Sequence, residues 1–328
     1  MAEIREYLDI PYLPNPDGKF HLFDLYVPQA TSSKRSELPP LLVFVHGGAW
    51  RSEDKVDHAL LARRLVTLTS FPVAVPNYRL TTSQTPHIRH PAHTEDLHEF
   101  LKFILDWPGP EPQSKYDPGK LYLMGHSCSA HMLLSIFLSP PPAAFASTLT
   151  LTTTSPTPTT HSYIYPSLVP SPRLLTSIRA FILSEGIYDL DLLLLSFPSY
   201  KSWFVAAAFG DRDSYSSLNT INGTIRSTAT PSQAGAGEQE QESRKGERAE
   251  KPKHISPRWL IFHSSGDTLV DALQSQGIVD NLRRQGASVE FNTELEEEHN
   301  ELLKGEVYPR IVGNFVLASE GRPDVKIR

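Results

Sequence analysis

The sequence predicts an α/β protein built on a mostly parallel central sheet with helices on both faces. Short apolar runs alternate with longer segments of helical periodicity along most of the chain, and this alternation is typical of strand–helix–strand units. The apolar runs, such as LLVFV at residues 41–45, are short and bounded by turn residues, as buried strands are. Ligands of such sheets bind beyond the carboxyl ends of the strands, so functional residues are expected there.

The predicted elements follow this order along the chain. An antiparallel hairpin comes first, because REYLDIPYL and FHLFDLYVP flank the turn-rich segment PNPDGK. Candidate buried strands follow at residues 41–45, 72–78, 120–125, 178–186, 258–267 and 288–294. Helices are predicted at about residues 56–69, 93–106, 128–139, 271–285 and 300–318.

Composition limits the class of protein and its partners. Of 328 residues, 39% are hydrophobic and 21% charged, which is ordinary for a globular protein. The net charge of -6 provides no basic surface for nucleic acid, and no apolar run approaches the roughly 18 residues of a membrane span. The N-terminal MAEIREYLDI lacks a signal core, and the single cysteine, Cys128, cannot form an internal disulfide. These features predict a cytoplasmic protein without nucleic-acid or membrane partners.

Two segments of unusual composition interrupt the predicted domain. Residues 140–176 are rich in Pro, Ser and Thr, and residues 212–256 are polar and charged. We expect both to be flexible insertions in a single domain that spans residues 1–328. Without them, roughly 250 residues remain, a size suited to one core.

A serine stands at the end of the strand predicted at 120–125. The segment GHSCSA, residues 125–130, follows that strand and precedes a helix, which is the pattern of a nucleophile elbow around Ser127. Small flanking residues keep the turn uncrowded, although Ser129 occupies a position where the pattern prefers glycine. The alternative interpretation is that Ser127 merely caps the following helix.

A serine nucleophile needs a base, and the base needs an orienting acid. Asp267 ends the strand predicted at 258–267, and His299 follows the last strand. The chain order Ser, acid, His is that of the α/β-hydrolases. Asp271 is the alternative acid, but it begins a predicted helix and suits a partner of the helix dipole better.

The strand at 41–45 ends in a glycine-rich loop with the sequence HGGAW. The motif comprises His46, Gly47, Gly48, Ala49 and Trp50. Glycine supplies a turn, which is the simpler interpretation. With Ser127 at a neighbouring strand end, the loop also suits an oxyanion hole formed by the N–H groups of Gly48, Ala49 and Cys128.

A second histidine-rich segment, PHIRHPAHTEDLHEF, raises the alternative of a metal site. It contains His87, His90, His93 and His98, and Pro91 interrupts the most plausible ligand pair. Capping and packing are therefore the expected uses of these histidines. We predict neither a metal nor a cofactor.

Together these motifs resemble the kynurenine formamidase (arylformamidase) family of α/β-hydrolases, most strongly its fungal branch. Further similarity lies in NYRLT (77–81), HPAHTEDL (90–97) and EGIYDLDLLLLSFPSYKSWFVAAAFG (185–210). The resemblance implies the α/β-hydrolase fold, with Ser127 as nucleophile, Asp267 as acid and His299 as base. It also implies hydrolysis of the small aryl formamide N-formyl-L-kynurenine to L-kynurenine and formate, in the kynurenine pathway of tryptophan degradation.

Other functions stay open at this stage. A general carboxylesterase would use the same triad, and a hydrolase-like binding protein could retain the fold without catalysis. Trp50 and Tyr188 are candidates for packing against the substrate ring. The sequence does not determine the oligomeric state, and a homodimer is one option.

Overall fold

The computed structural model describes residues 3–29, 37–111, 115–140, 165–227 and 256–323. The strands are β1 (Ile4–Pro11), β2 (Leu22–Pro28), β3 (Leu41–Val45), β4 (Val73–Pro76), β5 (Leu121–His126), β6 (Leu138–Ser139), β7 (Ile178–Ser184), β8 (Thr224–Ile225), β9 (Arg258–Phe262) and β10 (Val289–Asn292). The helices are α1 (Ala59–Thr69), α2 (Ala92–Asp106), α3 (Cys128–Phe137), α4 (Pro172–Ser177), α5 (Leu190–Ser196), α6 (Ala206–Phe209), α7 (Ala272–Arg284), α8 (Glu301–Lys304) and α9 (Val307–Ser319).

Eight of these strands form one mostly parallel sheet, in the order β1-β2-β4-β3-β5-β7-β9-β10. The predicted hairpin is present as antiparallel β1 and β2, and β2 also pairs antiparallel with β4. From β4 to β10 every neighbouring pair is parallel. The predicted fold class is therefore confirmed, and each of the six predicted strands is found at its expected place, although the edge strand β10 is only partly buried.

Helices cover both faces of the sheet because side chains of successive strand residues point in opposite directions. In β3, Leu41, Val43 and Val45 join the core on one face, which also contains residues of α2, α3 and α7. Leu42 and Phe44 join the core on the other face, beneath α1 and α9. Both faces are thus closed to water, and the carboxyl ends of the parallel strands form the accessible edge.

The predicted limits of the two insertions are wrong where the structure describes them. Residues 165–176 include most of α4, and residues 212–227 include β8, which pairs with β6. Leu174 and Tyr215 are at most 1% exposed. A few apolar anchors bury these segments, although their overall composition is polar. The remaining parts, 141–164 and 228–255, lie outside the described residues.

The helices also differ from prediction in two places. The helix predicted at 300–318 is divided into α8 and α9, because α8 ends at a cap formed by Gly305. The segment after β7 contains α5, α6 and a π-helical turn at Lys201–Val205, none of which was predicted. Their periodicity is short or irregular, so the sequence carries little helical signal there.

Ser129, which departs from the elbow pattern, joins two strand ends. Its hydroxyl lies 2.7 Å from the carbonyl oxygen of Val45 and 2.9 Å from that of His126, and it accepts the His126 N–H at 2.8 Å. Glycine could make none of these hydrogen bonds. At Gly125, by contrast, a Cβ would lie 2.9 Å from a methyl carbon of Leu133, so glycine is needed there. Ser129 therefore stabilises the junction of β3 with β5.

We expect Ser129→Ala to lower the free energy of unfolding by about 1–3 kcal/mol, because it removes a buried hydroxyl with its hydrogen bonds. Urea unfolding of the purified proteins measures this change. Thr67→Ala is the matched control, since its exposed hydroxyl only bonds back to Arg63 in α1. A loss for Ser129→Ala no larger than that of the control would show that the hydroxyl does not stabilise the junction.

Candidate active site

Ser127 lies in a sharp turn between β5 and α3. Its backbone has φ 56° and ψ -123°, a left-handed conformation that is strained for a residue with a side chain. Its N–H donates to the Ser184 carbonyl at 2.9 Å, and its own carbonyl accepts the Ile187 N–H at 3.2 Å. The turn is therefore held against the end of β7, and it matches the predicted nucleophile elbow.

Asp267 and His299 form a hydrogen-bonded pair. His299 Nδ1 lies 2.8 Å from Asp267 Oδ2, and the Asp267 side chain is wholly buried. Asp267 Oδ1 accepts the N–H groups of Leu269 and Val270 at 2.8 and 3.1 Å. The carboxylate therefore holds the imidazole with its proton on Nδ1, which leaves Nε2 as the basic nitrogen.

The charge of Asp267 is stabilised in spite of its burial. Burial opposes ionisation, but the hydrogen bond from His299 and the charge of its imidazolium lower the pKa of Asp267 to about 2. Asp267 is therefore a carboxylate at neutral pH. Asp271, the alternative acid, instead caps α7 by accepting the Leu273 N–H at 3.1 Å.

His126 connects the turn at Ser127 to the segment that carries His299. Its ring centroid lies 4.7 Å from that of His299, and its Nε2 lies 3.0 Å from Asn300 Oδ1. On the other side, its Nδ1 lies 3.1 Å from Ser184 Oγ. Burial lowers the pKa of His126 to about 3, so the ring is neutral. His126 thus packs against His299 from the residue that directly precedes Ser127.

The HGGAW loop lies directly against Ser127. A Cβ on Gly47 would come within 3.2 Å of Ser127 Cβ, and one on Gly48 would come within 2.2 Å of the Ser52 carbonyl oxygen. Gly48, Ala49 and Trp50 all have positive φ, at 87°, 52° and 59°. Only a glycine-rich segment can approach so closely in this conformation.

The loop is held in place by two buried side chains. The Tyr78 hydroxyl donates to the carbonyl of Gly47 at 2.8 Å, and Cys128 Sγ accepts the Trp50 N–H at 3.3 Å. Burial raises the pKa of Cys128 to about 12, so the sulfur is a neutral thiol. The Trp50 N–H is therefore occupied, and the Ala49 N–H also faces the Cys128 sulfur. Gly48, Ala49 and Cys128 stay the predicted donors of an oxyanion hole.

Trp50 and Tyr188, which we expected to pack against the substrate ring, lie in the core instead. Both side chains are completely buried. Trp50 packs edge-on against His131 and Phe209, with centroids 5.6 and 4.8 Å away, and the Tyr188 hydroxyl lies against Gly186. Neither ring therefore offers a free surface to a substrate.

A cleft that the sequence analysis missed opens beside Ala49. Its volume is about 230 Å³. It is lined by Ala49, Arg51, Thr81, Thr82, Ser83, Pro86, Arg89, Trp203, Phe204 and Ala207. Arg51 donates to the Trp203 carbonyl at 2.7 Å and lies over the indole ring, 5.9 Å from its centroid. The residues come from the loop after β3, the loop after β4, the π-helical turn and α6, so no local sequence pattern reveals the cleft.

Three described residues bring possible metal-binding atoms close together. Among the described residues, Glu185, His263 and Asp267 form a group whose ligand atoms lie within 4.8 Å of one another. Both oxygens of Asp267 are already hydrogen-bonded, to His299 and to two backbone N–H groups. This donor set therefore serves the Asp267–His299 pair rather than a free coordination site.

The histidine-rich segment has structural partners. His93 Nε2 lies 2.8 Å from the Thr81 hydroxyl, and His98 Nδ1 lies 2.7 Å from the Ser167 carbonyl. Burial lowers the pKa of both imidazoles. These contacts agree with the packing role expected for the segment.

Comparison with known proteins agrees with the fold and the motifs. The BD-FAE family model matches residues 23–149. The chain is 26% identical over 177 residues to a kynurenine formamidase of Meyerozyma guilliermondii, with 53% of each chain covered. It is 29% identical over 190 residues to a kynurenine formamidase of Eremothecium gossypii, covering 55% of this chain and 64% of the relative. The chain thus spans about half to two thirds of the length of these relatives.

Solved structures show the same fold at low sequence identity. Esterase B from Lactobacillus rhamnosis has a TM-score of 0.64 at 13% identity, covering 97% of this chain and 87% of that one. A truncated carbohydrate esterase from gut microbiota has a TM-score of 0.60 at 15% identity, with 97% of both chains covered. Within the described part of the chain, no helix combines the length and apolarity needed to cross a membrane. The chain has the α/β-hydrolase fold, and its sequence resembles the kynurenine formamidases of fungi.

Proposed function

We propose that the protein is a serine hydrolase that converts N-formyl-L-kynurenine to L-kynurenine and formate. The main support is the arrangement of Ser127 in a strained elbow, the HGGAW loop against its Cβ, and the Asp267–His299 pair joined at 2.8 Å. These are the parts that acyl transfer to a serine requires. The substrate is proposed from the resemblance to kynurenine formamidases and from the chemistry of the cleft.

In the first step, the formyl group is transferred to Ser127. His299 Nε2 takes the proton of the Ser127 hydroxyl while Oγ attacks the formyl carbon. The carbonyl oxygen becomes an oxyanion, which the backbone N–H groups of Gly48, Ala49 and Cys128 stabilise. Asp267 stabilises the imidazolium that forms on His299.

In the second step, the carbon–nitrogen bond breaks. His299 donates its proton to the aniline nitrogen, L-kynurenine leaves, and a formyl ester remains on Ser127. Water then attacks this ester with His299 as the base, which releases formate and restores the serine. Because an aniline leaves more easily than an alkyl amine, the serine and histidine can perform this reaction without a metal.

The cleft beside Ala49 suits the other end of this substrate. Arg51 and Arg89 provide two guanidinium groups, which pair well with a carboxylate. Trp203 is 52% exposed and, with Phe204, provides an aromatic surface. An aromatic amino acid with a formylated ring nitrogen matches this combination of charge and shape.

Two other functions remain in competition. A general carboxylesterase would use the same triad, and the solved structures of similar fold include esterases. The pair of arginines in the cleft favours an anionic substrate over a neutral ester. A binding protein without catalysis would have no need for the Asp267–His299 hydrogen bond beside the elbow.

Ser127→Ala should lower kcat by several orders of magnitude, because the members of a triad act as a unit. The folded structure should persist, since the serine side chain is not part of the core. Turnover of N-formyl-L-kynurenine and labelling with a fluorophosphonate probe measure the effect. Ser135→Ala, on the same helix, is the matched control and should behave as wild type. Activity within about tenfold of wild type would assign the nucleophile elsewhere.

The formyl group should be preferred over acetyl. Gly47 and Ala49 bring the loop backbone close to Ser127, so an additional methyl group on the acyl carbon has little room. We expect kcat/KM for N-formyl-L-kynurenine to exceed that for N-acetyl-L-kynurenine by roughly tenfold to two-hundredfold. Parallel assays of the two compounds test this, and equal rates would favour the carboxylesterase.

Arg89→Ala should weaken binding of the substrate carboxylate. We expect KM for N-formyl-L-kynurenine to rise about tenfold, as for the loss of one charge-assisted hydrogen bond. A short-chain aryl ester, which lacks the carboxylate, should be turned over at an unchanged rate. Arg284→Ala, at an exposed site in the last turn of α7, is the control. An equal effect on both substrates would show that the substrate carboxylate does not bind at Arg89.

A further inference from the structure

A second carboxyl group, that of Glu185, is buried beside the Asp267–His299 pair. Glu185 directly follows β7, has φ 52° and is wholly buried. Its Oε1 accepts the Ser264 N–H at 2.8 Å, and its Oε2 lies 3.3 Å from His263 Nδ1. The ligand atoms of Glu185, His263 and Asp267 all lie within 4.8 Å of one another. Two carboxyl groups therefore share one site without access to water.

The groups that face Glu185 provide no positive charge. They are Asp267 from the loop after β9, His263 at the end of β9, Tyr188 from the chain after β7, and Tyr308 from α9. Burial lowers the pKa of His263, so its imidazole is neutral at neutral pH. Burial raises the pKa of both tyrosines, which are neutral as well. The nearby ring of His299 is already hydrogen-bonded to Asp267.

Two adjacent carboxylates in such a site would repel each other strongly, so one of them must hold a proton. Asp267 has three donors for its charged form: the His299 ring and the N–H groups of Leu269 and Val270. Glu185 has the Ser264 N–H alone. Burial and the neighbouring negative charge of Asp267 raise the pKa of Glu185 to about 10. The proton therefore belongs on Glu185.

We propose that Glu185 is a positioning residue: it remains a neutral carboxylic acid in the folded protein and donates a hydrogen bond to the Asp267 carboxylate. This bond fixes the orientation of Asp267 and limits its basicity, so that Asp267 holds His299 without taking its proton. The proposal depends on the proposed function only through the role of Asp267. The protonation state of Glu185 can be measured without any substrate.

The first test is the pH dependence of stability. Glutamate in an unfolded chain ionises near pH 4.3, so above that pH the wild-type protein must take up a proton at Glu185 when it folds. Its unfolding equilibrium constant should therefore rise with pH, by up to about tenfold per pH unit, relative to that of Glu185→Gln. Glutamine has the same shape and a donor N–H, and it requires no proton.

Urea unfolding of both proteins between about pH 6 and pH 8 gives the ratio of the wild-type unfolding equilibrium constant to that of Glu185→Gln. Glu99→Gln, the same substitution at a half-exposed residue of α2 whose carboxylate pairs with Lys102, is the matched control, and its ratio should not change over this pH range. A ratio for Glu185→Gln that also stays constant over this range would show that Glu185 is ionised in the folded protein, and would overturn the proposal.

The second test is the pH profile of kcat/KM. Glu185→Gln should keep kcat within about threefold of wild type and leave the midpoint of the acid limb unchanged. Glu185→Leu removes the donor, so we expect kcat to fall on the order of tenfold with little change in KM, and the midpoint to move to higher pH. If Glu185 were ionised, Glu185→Gln would instead remove a negative charge and move the midpoint to lower pH.

The two tests separate failure of this proposal from failure of the proposed function. If the protein hydrolyses an aryl ester but not N-formyl-L-kynurenine, the profile is measured on the ester, and only the substrate assignment fails. If Glu185→Leu does not fold, the stability ratio of Glu185→Gln still decides. Equal kcat values and equal midpoints for the Gln and Leu variants would mean that Glu185 only fills space.

Discussion

The parallel pairing of β3 with β5 is the constraint on which the rest of the site depends. Val45 and Gly125 are partners in register at the carboxyl ends of these strands, so the loops that follow must leave the sheet side by side. One loop is HGGAW and the other is the turn at Ser127. Their backbones are in contact, which is why glycine is required at position 47 and a small residue at 129. Strand order alone thus brings the proposed nucleophile beside the proposed oxyanion donors.

The charge states of the side chains in the site follow from their burial rather than from an excess of charge. His126 is neutral and Cys128 is a thiol, both because they are buried. The Asp267–His299 pair is the point where charge is stabilised, by a direct hydrogen bond and two backbone N–H groups. A protonated Glu185 would also stabilise the Asp267 carboxylate, because it adds a hydrogen-bond donor without adding a second negative charge. The base then faces one carboxylate in a site of otherwise neutral groups.

Substrate selection would depend on a different part of the chain from the chemistry. The proposed triad residues follow strands of the central sheet, whereas the cleft is formed by loops, by the π-helical turn at Lys201–Val205 and by α6. The same α/β-hydrolase core can therefore serve esters in one protein and formamides in another. Arg51 illustrates the connection between the two parts, because it lies next to the HGGAW motif in sequence and holds Trp203 in the cleft wall.

The sequence by itself determined the order of strands and helices, the elbow around Ser127 and the glycine loop, because each depends on residues that are neighbours along the chain. Asp267 and His299 were also predictable, since each lies after a recognisable strand. The tertiary structure alone decided that Trp50 and Tyr188 are buried in the core, that residues 165–176 and 212–227 pack onto the domain, and that two arginines meet in one cleft. It also decided that Glu185 lies beside Asp267. These features depend on contacts between residues that are distant in sequence, and burial and charge in a folded protein follow from such contacts rather than from local pattern.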